Sequence, residues 1–154
     1  MILGIDPGIR KLWYALIQEK DILDAGIITF TDKIQNARED QYERMKHIYD
    51  FFNTIFEQHP TIHTVCMERY FFTTYNRNNA EFVYAMRWIV LMLAFQYNKK
   101  IKEYTPQEIK KRITGNSKAS KQLMKKMIMK LYQLQDLPKY HDAADALWLA
   151  RLGK

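Results

Sequence analysis

Four acidic residues of this sequence are placed where they could act together as ligands for metal ions: Asp6, Glu68, Asp142 and Asp145. The first two each follow a short apolar run. The last two are three residues apart, so on a helix they would share one face. Carboxylates gathered in one pocket repel one another unless a cation neutralises them. Oxygen ligands suit Mg²⁺ or Mn²⁺, and two such ions about 3.5–4 Å apart can activate water against a phosphodiester and stabilise the leaving oxygen. The pattern therefore predicts a metal site that cleaves phosphodiesters.

Each of these carboxylates also has a structural interpretation, which the residues alone leave open. Asp6 precedes a Pro-Gly pair and could open a turn, and Glu68 could be an ordinary exposed residue after a strand. Asp142 and Asp145 could complement the dipole of a helix at its N-terminal end. Among the other candidates, Cys66 lies in an apolar run and is interpreted as a packed residue rather than a nucleophile.

The elements that must hold these residues alternate between strands and helices. Short apolar or alternating runs predict five strands, at residues 2–5, 12–19, 22–30, 63–67 and 101–105. Helical spacing and capping residues predict helices at 37–59, at 79–97, from Pro106, from Ser120 to about 134, and at 141–152. This order indicates one α/β domain, residues 1–154, with a mixed sheet flanked by helices. If the first and fourth strands are parallel neighbours, Asp6 and Glu68 project from the same edge.

The composition fits one compact domain with a sizeable core. The chain has 154 residues, of which 47% are hydrophobic and 27% charged, and this excludes a disordered or low-complexity protein. It has one cysteine and no targeting pattern at its N-terminus, so we expect a cytoplasmic protein without disulfides. The helix at 79–97 is apolar almost all round, but it includes Glu81 and Arg87 and is too short for a membrane span. It must be covered on both sides, by the sheet and, we expect, by a partner subunit.

The net charge of +7 is the sum of two unlike halves. Residues 1–75 contain 8 basic and 11 acidic side chains, whereas residues 76–154 contain 16 and 6. Residues 99–130 hold 11 of the basic side chains, among them Lys110, Lys111, Lys118, Lys121 and Lys125. The last three are spaced three and four apart and form a basic stripe. Such a field favours a polyanionic partner, with a solvated helix face as the alternative.

A second signal for nucleic acid follows Glu68. Residues 69–77 interleave aromatic and basic side chains, among them Arg69, Phe71, Tyr75 and Arg77. Aromatic rings stack on unpaired bases, at about 1–3 kcal/mol each, while a positively charged groove tracks the phosphates. The alternative is that the phenylalanines of this stretch are core residues.

Four segments, in this order, resemble the RuvC-type Holliday junction resolvases, a branch of the ribonuclease H-like nucleases. They are ILGIDPGIR at 2–10, VCMERYFF at 65–72, EYTPQEIKKRITGNSKASKQ at 103–122 and HDAADALWLA at 141–150. The resemblance covers nearly the whole chain and implies a ribonuclease H-like fold with a five-stranded mixed sheet. It also implies a homodimer that resolves four-way DNA junctions in recombination and repair by symmetric paired nicks, and the apolar 79–97 helix fits the interface that such a homodimer needs.

The same resemblance assigns roles to individual residues. It implies that Mg²⁺, replaceable by Mn²⁺, is held by four catalytic carboxylates: Asp6, Glu68, Asp142 and Asp145. It further implies that Lys110 and Lys121 contact DNA phosphate near the cut and that Phe71 probes the junction centre. Branch-migration machinery is a further candidate partner, which the sequence does not identify.

The chain departs from the family pattern beside the first carboxylate. Trp13 and Ala15 stand where the family usually has glycines, and the loop at 115–118 lacks a second glycine. The bulk of Trp13 bears on the local packing and on how DNA approaches there. Three other functions are weighed against a junction resolvase: a related nuclease acting on other branched DNA or RNA, an actin-like nucleotide-binding protein, and a non-catalytic junction-binding module. The last of these predicts no clustering of the four carboxylates.

Overall fold

The computed structural model describes residues 1–8, 11–30, 37–69, 77–134 and 144–154, except the side chains of residues 37, 38 and 77–79. Over this part of the chain, ten elements follow one another: β1 (Ile2–Pro7), β2 (Lys11–Gln18), β3 (Asp21–Thr29), α1 (Ala37–Gln58), β4 (Thr64–Glu68), α2 (Arg77–Gln96), β5 (Lys100–Tyr104), α3 (Pro106–Thr114), α4 (Lys121–Tyr132) and α5 (Ala144–Leu152). Every predicted element is confirmed within the described residues, which do not include residues 141–143 of the predicted last helix. Two boundaries matter for the site: β1 continues to Pro7 and β4 to Glu68, so Asp6 and Glu68 are strand residues rather than residues after a strand.

The five strands form one mixed sheet in the order β3-β2-β1-β4-β5. β2 is antiparallel to both β1 and β3, whereas β1, β4 and β5 are parallel to one another. The expected five-stranded mixed sheet is therefore confirmed. β1 and β4 are the parallel neighbours that bring Asp6 and Glu68 to one edge.

Alternation along the strands directs side chains into two separate cores. On one face, Leu3, Ile5 and Met67 pack in the cluster that includes α1 and α2. On the other face, Ala15 and Cys66 pack in the cluster that includes α5. No helix within the described ranges is long and apolar enough to cross a membrane.

α5 lies directly against β1 and runs in the opposite direction. A Cβ atom at Gly4 would lie 2.0 Å from the carbonyl oxygen of Ala146, so this close approach requires glycine. A Cβ atom at Gly153, after the end of α5, would lie 2.5 Å from the side chain of Ile2. Because the last turn of α5 meets the start of β1, the first turn of α5 lies over the end of β1, where Asp6 stands.

Candidate active site

Asp6 and Glu68 stand side by side on the face of the sheet that α5 covers. The residues before them, Ile5 and Met67, are partners in the β1–β4 register and point into the opposite core. The next residue on each strand therefore faces α5. Asp145 is in the first turn of α5. All three carboxylates line one cleft of about 530 Å³, so the structure brings together three of the four predicted ligands.

The negative charges of these carboxylates raise the pKa values of their neighbours in the cleft. The pKa of Asp6 is raised to about 7, chiefly by burial and then by the negative charges of Asp145 and Glu68. Burial likewise raises the pKa of Glu68, with Asp145 as the second cause and Arg87 as the main opposing charge. Lys121 opposes both shifts. Burial and mutual repulsion thus disfavour the ionised forms of Asp6 and Glu68, and a bound cation would oppose both effects.

This electrostatic balance predicts how stability depends on pH when no divalent ion is present. The pKa of Asp6 rises from 3.8 to about 7 on folding, so the folded state favours the protonated form. The contribution of Asp6 to stability is fully present below its unfolded pKa and is lost as the pH rises through the folded value. Asp6→Asn removes that loss. We therefore expect the variant to be more stable than the wild type above about pH 7 by about 1–3 kcal/mol, with the difference vanishing below about pH 4.

Urea unfolding in EDTA at several pH values measures this difference. Added Mg²⁺ should stabilise the wild type more than the variant, because a ligand that binds only the folded state stabilises it. A stability difference that does not change with pH would contradict the raised pKa of Asp6 in the folded protein.

The donor set of the cleft fits a hard divalent cation. Carboxylate oxygens are the ligands that Mg²⁺ and Mn²⁺ prefer, and the mutual repulsion of Asp6, Glu68 and Asp145 is what a bound cation relieves. Within the part of the chain that the structure describes, however, no three Asp, Glu, His or Cys side chains are grouped closely enough to hold an ion as they stand. Asp142, the fourth predicted ligand, lies outside the described residues.

Lysines line the same cleft. Lys110 is on α3, and Lys121 and Lys125 are on α4. Both helices begin at well-formed caps: Thr105 takes part in a capping box, and the hydroxyl of Ser120 accepts a hydrogen bond from the backbone of the first turn. These caps, placed by the pattern of the sequence, set three predicted phosphate contacts beside the carboxylates.

Among the cleft-lining residues that were not predicted to belong to the site, two are on β2, Lys11 and Trp13. Trp13 is the partner of Asp6 in the β1–β2 register. Paired residues of antiparallel strands project to the same face of the sheet, so hairpin pairing is the signal that could have identified both.

The remaining predicted DNA contacts are not among the described lining residues of the cleft, or they lie outside the described residues. Arg69 is exposed directly after Glu68, and its backbone N–H donates to the carbonyl oxygen of Tyr104 at 2.7 Å. Lys111 and Lys118 are exposed on α3 and in the loop before α4, and neither is among the described lining residues. Outside the described residues lie Phe71, Tyr75 and the side chain of Arg77.

A buried arginine holds the end of the strand that carries Glu68. Arg87, on α2, is 6% exposed. Its guanidinium donates to the carbonyl oxygen of Glu68 and to the carboxylate of Glu103, with which it forms an ion pair. Glu103 is on β5, the strand next to β4. Arg87 therefore joins α2, β4 and β5 and fixes the backbone that carries a predicted ligand.

Comparisons with known proteins point to one family. The family model for the crossover junction endodeoxyribonuclease RuvC matches residues 2–152. The RuvC of Pseudothermotoga lettingae is 38% identical, over 97% of this chain and 91% of the relative. That of Alkaliphilus oremlandii is 36% identical, over 97% of this chain and 90% of the relative. The fold is similar to that of T. thermophilus RuvC in complex with Holliday junction substrate, with a TM-score of 0.82 and 23% identity over 97% of this chain and 89% of that one. The expected ribonuclease H-like fold is thereby confirmed.

Proposed function

The chain belongs to the crossover junction endodeoxyribonuclease RuvC family, and on that premise we propose that it is a Holliday junction resolvase that cuts four-way DNA junctions by symmetric paired nicks. The observation that carries this proposal is the cleft in which Asp6, Glu68 and Asp145 lie beside Lys110 and Lys121. Phosphodiester hydrolysis assisted by metal needs both sets of groups, the first to hold the cation and the second to hold the phosphates of the substrate.

The proposed roles follow from the placement of each group. Asp6, Glu68 and Asp145, together with Asp142, would hold Mg²⁺ or Mn²⁺. When bound, such an ion acts as a Lewis acid toward the phosphate and lowers the pKa of water. β1 and β4 hold their two carboxylates at the fixed spacing of neighbouring strands, which prepares the ligands before the substrate arrives. Hydrolysis would leave 5′-phosphate and 3′-hydroxyl ends.

The proposed DNA-binding surface extends from the cleft in two directions. Along α3 and α4 it includes the basic side chains Lys110, Lys111, Lys118, Lys121 and Lys125. After β4 it includes the stretch 69–77, where the exposed Arg69 directly follows Glu68. The stacking and phosphate contacts proposed for this second stretch belong to Phe71, Tyr75 and Arg77.

The proposal includes a dimer joined through α2. The outward face of this helix carries three large apolar side chains at helical spacing: Trp88 is 62% exposed, Met92 61% and Phe95 75%. An exposed apolar stripe of this kind marks a protein interface. A two-fold pair would present two equivalent clefts to a junction with matching symmetry.

The cellular setting belongs to the same proposal. Cys66 is buried in β4, and burial raises the pKa of its thiol to about 12, so it is a packed residue rather than a nucleophile. A chain without disulfides fits the cytoplasm. Branch-migration machinery is the candidate partner that would deliver junctions to the enzyme.

A substrate panel tests this function. The purified protein is incubated with a synthetic four-way junction, a linear duplex and an RNA–DNA hybrid, each with Mg²⁺ and with EDTA. We expect paired nicks in the junction alone, and only with Mg²⁺. Cleavage of the hybrid would favour a related nuclease acting on RNA, and tight junction binding without cleavage would favour a junction-binding module.

Lys121→Ala tests phosphate binding at the cleft. The loss of one phosphate contact is expected to weaken junction binding and to reduce the slope of log affinity against log salt by about 0.9. Lys126→Ala is the matched control, because it removes the same charge from an exposed position of the same helix that is not among the described cleft lining. Fluorescence anisotropy over a salt series measures both slopes. Equal slopes for the two variants would place Lys121 outside the DNA contact.

A further inference from the structure

Trp13 belongs to a row of side chains that crosses the sheet and includes two of the cleft carboxylates. The β1–β2 register pairs Trp13 with Asp6, and the β1–β4 register sets Asp6 beside Glu68. Neighbouring strands are about 4.8 Å apart. The indole is therefore one strand away from the first carboxylate and two from the second, and it borders the place where a phosphodiester must lie to reach them.

The indole is also unlike the rest of the cleft lining. Trp13 is partly buried and packs against the core beneath α5, yet it still lines the cleft. The other aromatic residue of the described lining, Trp148, is 2% exposed and offers little surface to a ligand. Trp13 thus presents a flat aromatic surface among lysines and carboxylates. In a nucleic acid, the group that matches such a surface is the face of a base.

A lysine lies close to Trp13 on the same strand. Lys11 is two residues before Trp13 on β2, so both side chains project to the same face, and both line the cleft. β2 therefore supplies a surface for a base and an ammonium group for a phosphate, next to Asp6.

From this arrangement we propose that Trp13 is a substrate-positioning residue, whose indole stacks on an unpaired base next to the scissile phosphodiester while Lys11 binds an adjoining phosphate. This inference rests on the proposed nuclease function. It assigns the β2 side of the cleft to an unpaired base of the junction and the phosphate next to that base. Stacking also contributes to the choice of cleavage step, because bases differ in how strongly they stack.

Two substitutions at Trp13 separate stacking from simple packing. Trp13→Leu keeps an apolar side chain and removes the aromatic face, whereas Trp13→Phe keeps a smaller ring. In EDTA, where binding is measured without cleavage, we expect Leu to lower junction affinity by about 10- to 100-fold and Phe to retain most of it. Leu23→Ala, at a position on β3 that is 46% exposed, is the control for loss of apolar surface elsewhere. Thermal unfolding verifies that each variant is folded.

A junction with an abasic site beside the cleavage position provides the second probe. The wild type should bind it more weakly than the intact junction. Trp13→Leu should show little further loss, because the two changes remove the same contact. Equal affinity of wild type and Trp13→Leu for the intact junction overturns the inference, as does an equal relative loss from the abasic site in both proteins. Tighter junction binding by Trp13→Leu also overturns the inference, because it would mean that the indole hinders DNA binding instead of stacking on a base.

These outcomes are distinct from failure of the proposed function. If the wild type cuts the four-way junction and the Trp13 variants behave like it, only the stacking role is lost. If the wild type neither binds nor cuts the junction in preference to duplex, the proposed function itself is wrong.

Discussion

Asp6→Asn and Glu68→Gln are each expected to lower the rate of junction cleavage by about 10³-fold or more while leaving junction binding intact. Each change keeps the shape of the side chain and removes one anionic ligand. Because the carboxylates share one cleft and influence one another's pKa, the loss of either disturbs the whole ligand set. Neither change touches Lys110 or Lys121, the proposed phosphate contacts, and neither adds negative charge facing the DNA. Binding in EDTA should therefore be equal to that of the wild type or tighter.

Separate measurements of cleavage and binding test this result. Single-turnover cleavage with excess protein and Mg²⁺ reports the chemical step, and anisotropy in EDTA reports binding. Asp21→Asn is the matched control, because Asp21 is an exposed acidic residue at the start of β3 and is not among the described cleft lining. Unchanged cleavage in Asp6→Asn or Glu68→Gln would remove that residue from the metal site. A parallel loss of binding and cleavage would indicate a different role, in folding or in DNA contact.

The elements and the two strand-borne carboxylates could be predicted from the sequence because both depend on local patterns. Apolar runs of strand length and apolar positions three or four apart are visible within short windows. Once β1 and β4 are parallel neighbours, the end of each strand lies at the same edge of the sheet, so Asp6 and Glu68 meet there. The signals at Pro106 and Ser120 are equally local, and they mark the starts of the helices that carry the cleft lysines.

Contacts between distant parts of the chain could not be predicted in this way. Arg87 reaches Glu68 and Glu103, which are 19 and 16 residues away, and nothing in the periodicity of α2 identifies these partners. Trp13 enters the cleft because hairpin pairing sets it opposite Asp6, and that pairing is a property of two strands together. The exposed stripe of α2 is a third case: the sequence predicts a side of this helix that the sheet does not cover, but only packing against α1 and the sheet shows which residues lie on it.

The second large effect concerns that exposed stripe: Trp88→Glu is expected to raise the dissociation constant of the proposed dimer by about 10²-fold or more. Trp88 is 62% exposed in the single chain, so the folded monomer tolerates a charge there and the cost falls on the interface. Two-fold symmetry places the substituted residue in the interface twice, so both copies contribute to that cost. Sedimentation velocity over a concentration series measures the change. A wild-type protein that sediments as a monomer at micromolar concentration would contradict pairing through α2.

The products of cleavage show whether function depends on this pairing. On a plasmid that extrudes a four-way junction, two coordinated nicks give linear DNA, whereas a single nick gives an open circle. Each chain contributes one cleft with its carboxylates, so a monomeric Trp88→Glu should shift the products from linear DNA to open circles. Leu23→Glu is the matched control, because it places the same charge on an exposed apolar residue of β3, 46% exposed and remote in the sheet order from β4. Linear product at the wild-type rate from a variant shown to be monomeric would mean that paired cutting does not require the α2 interface.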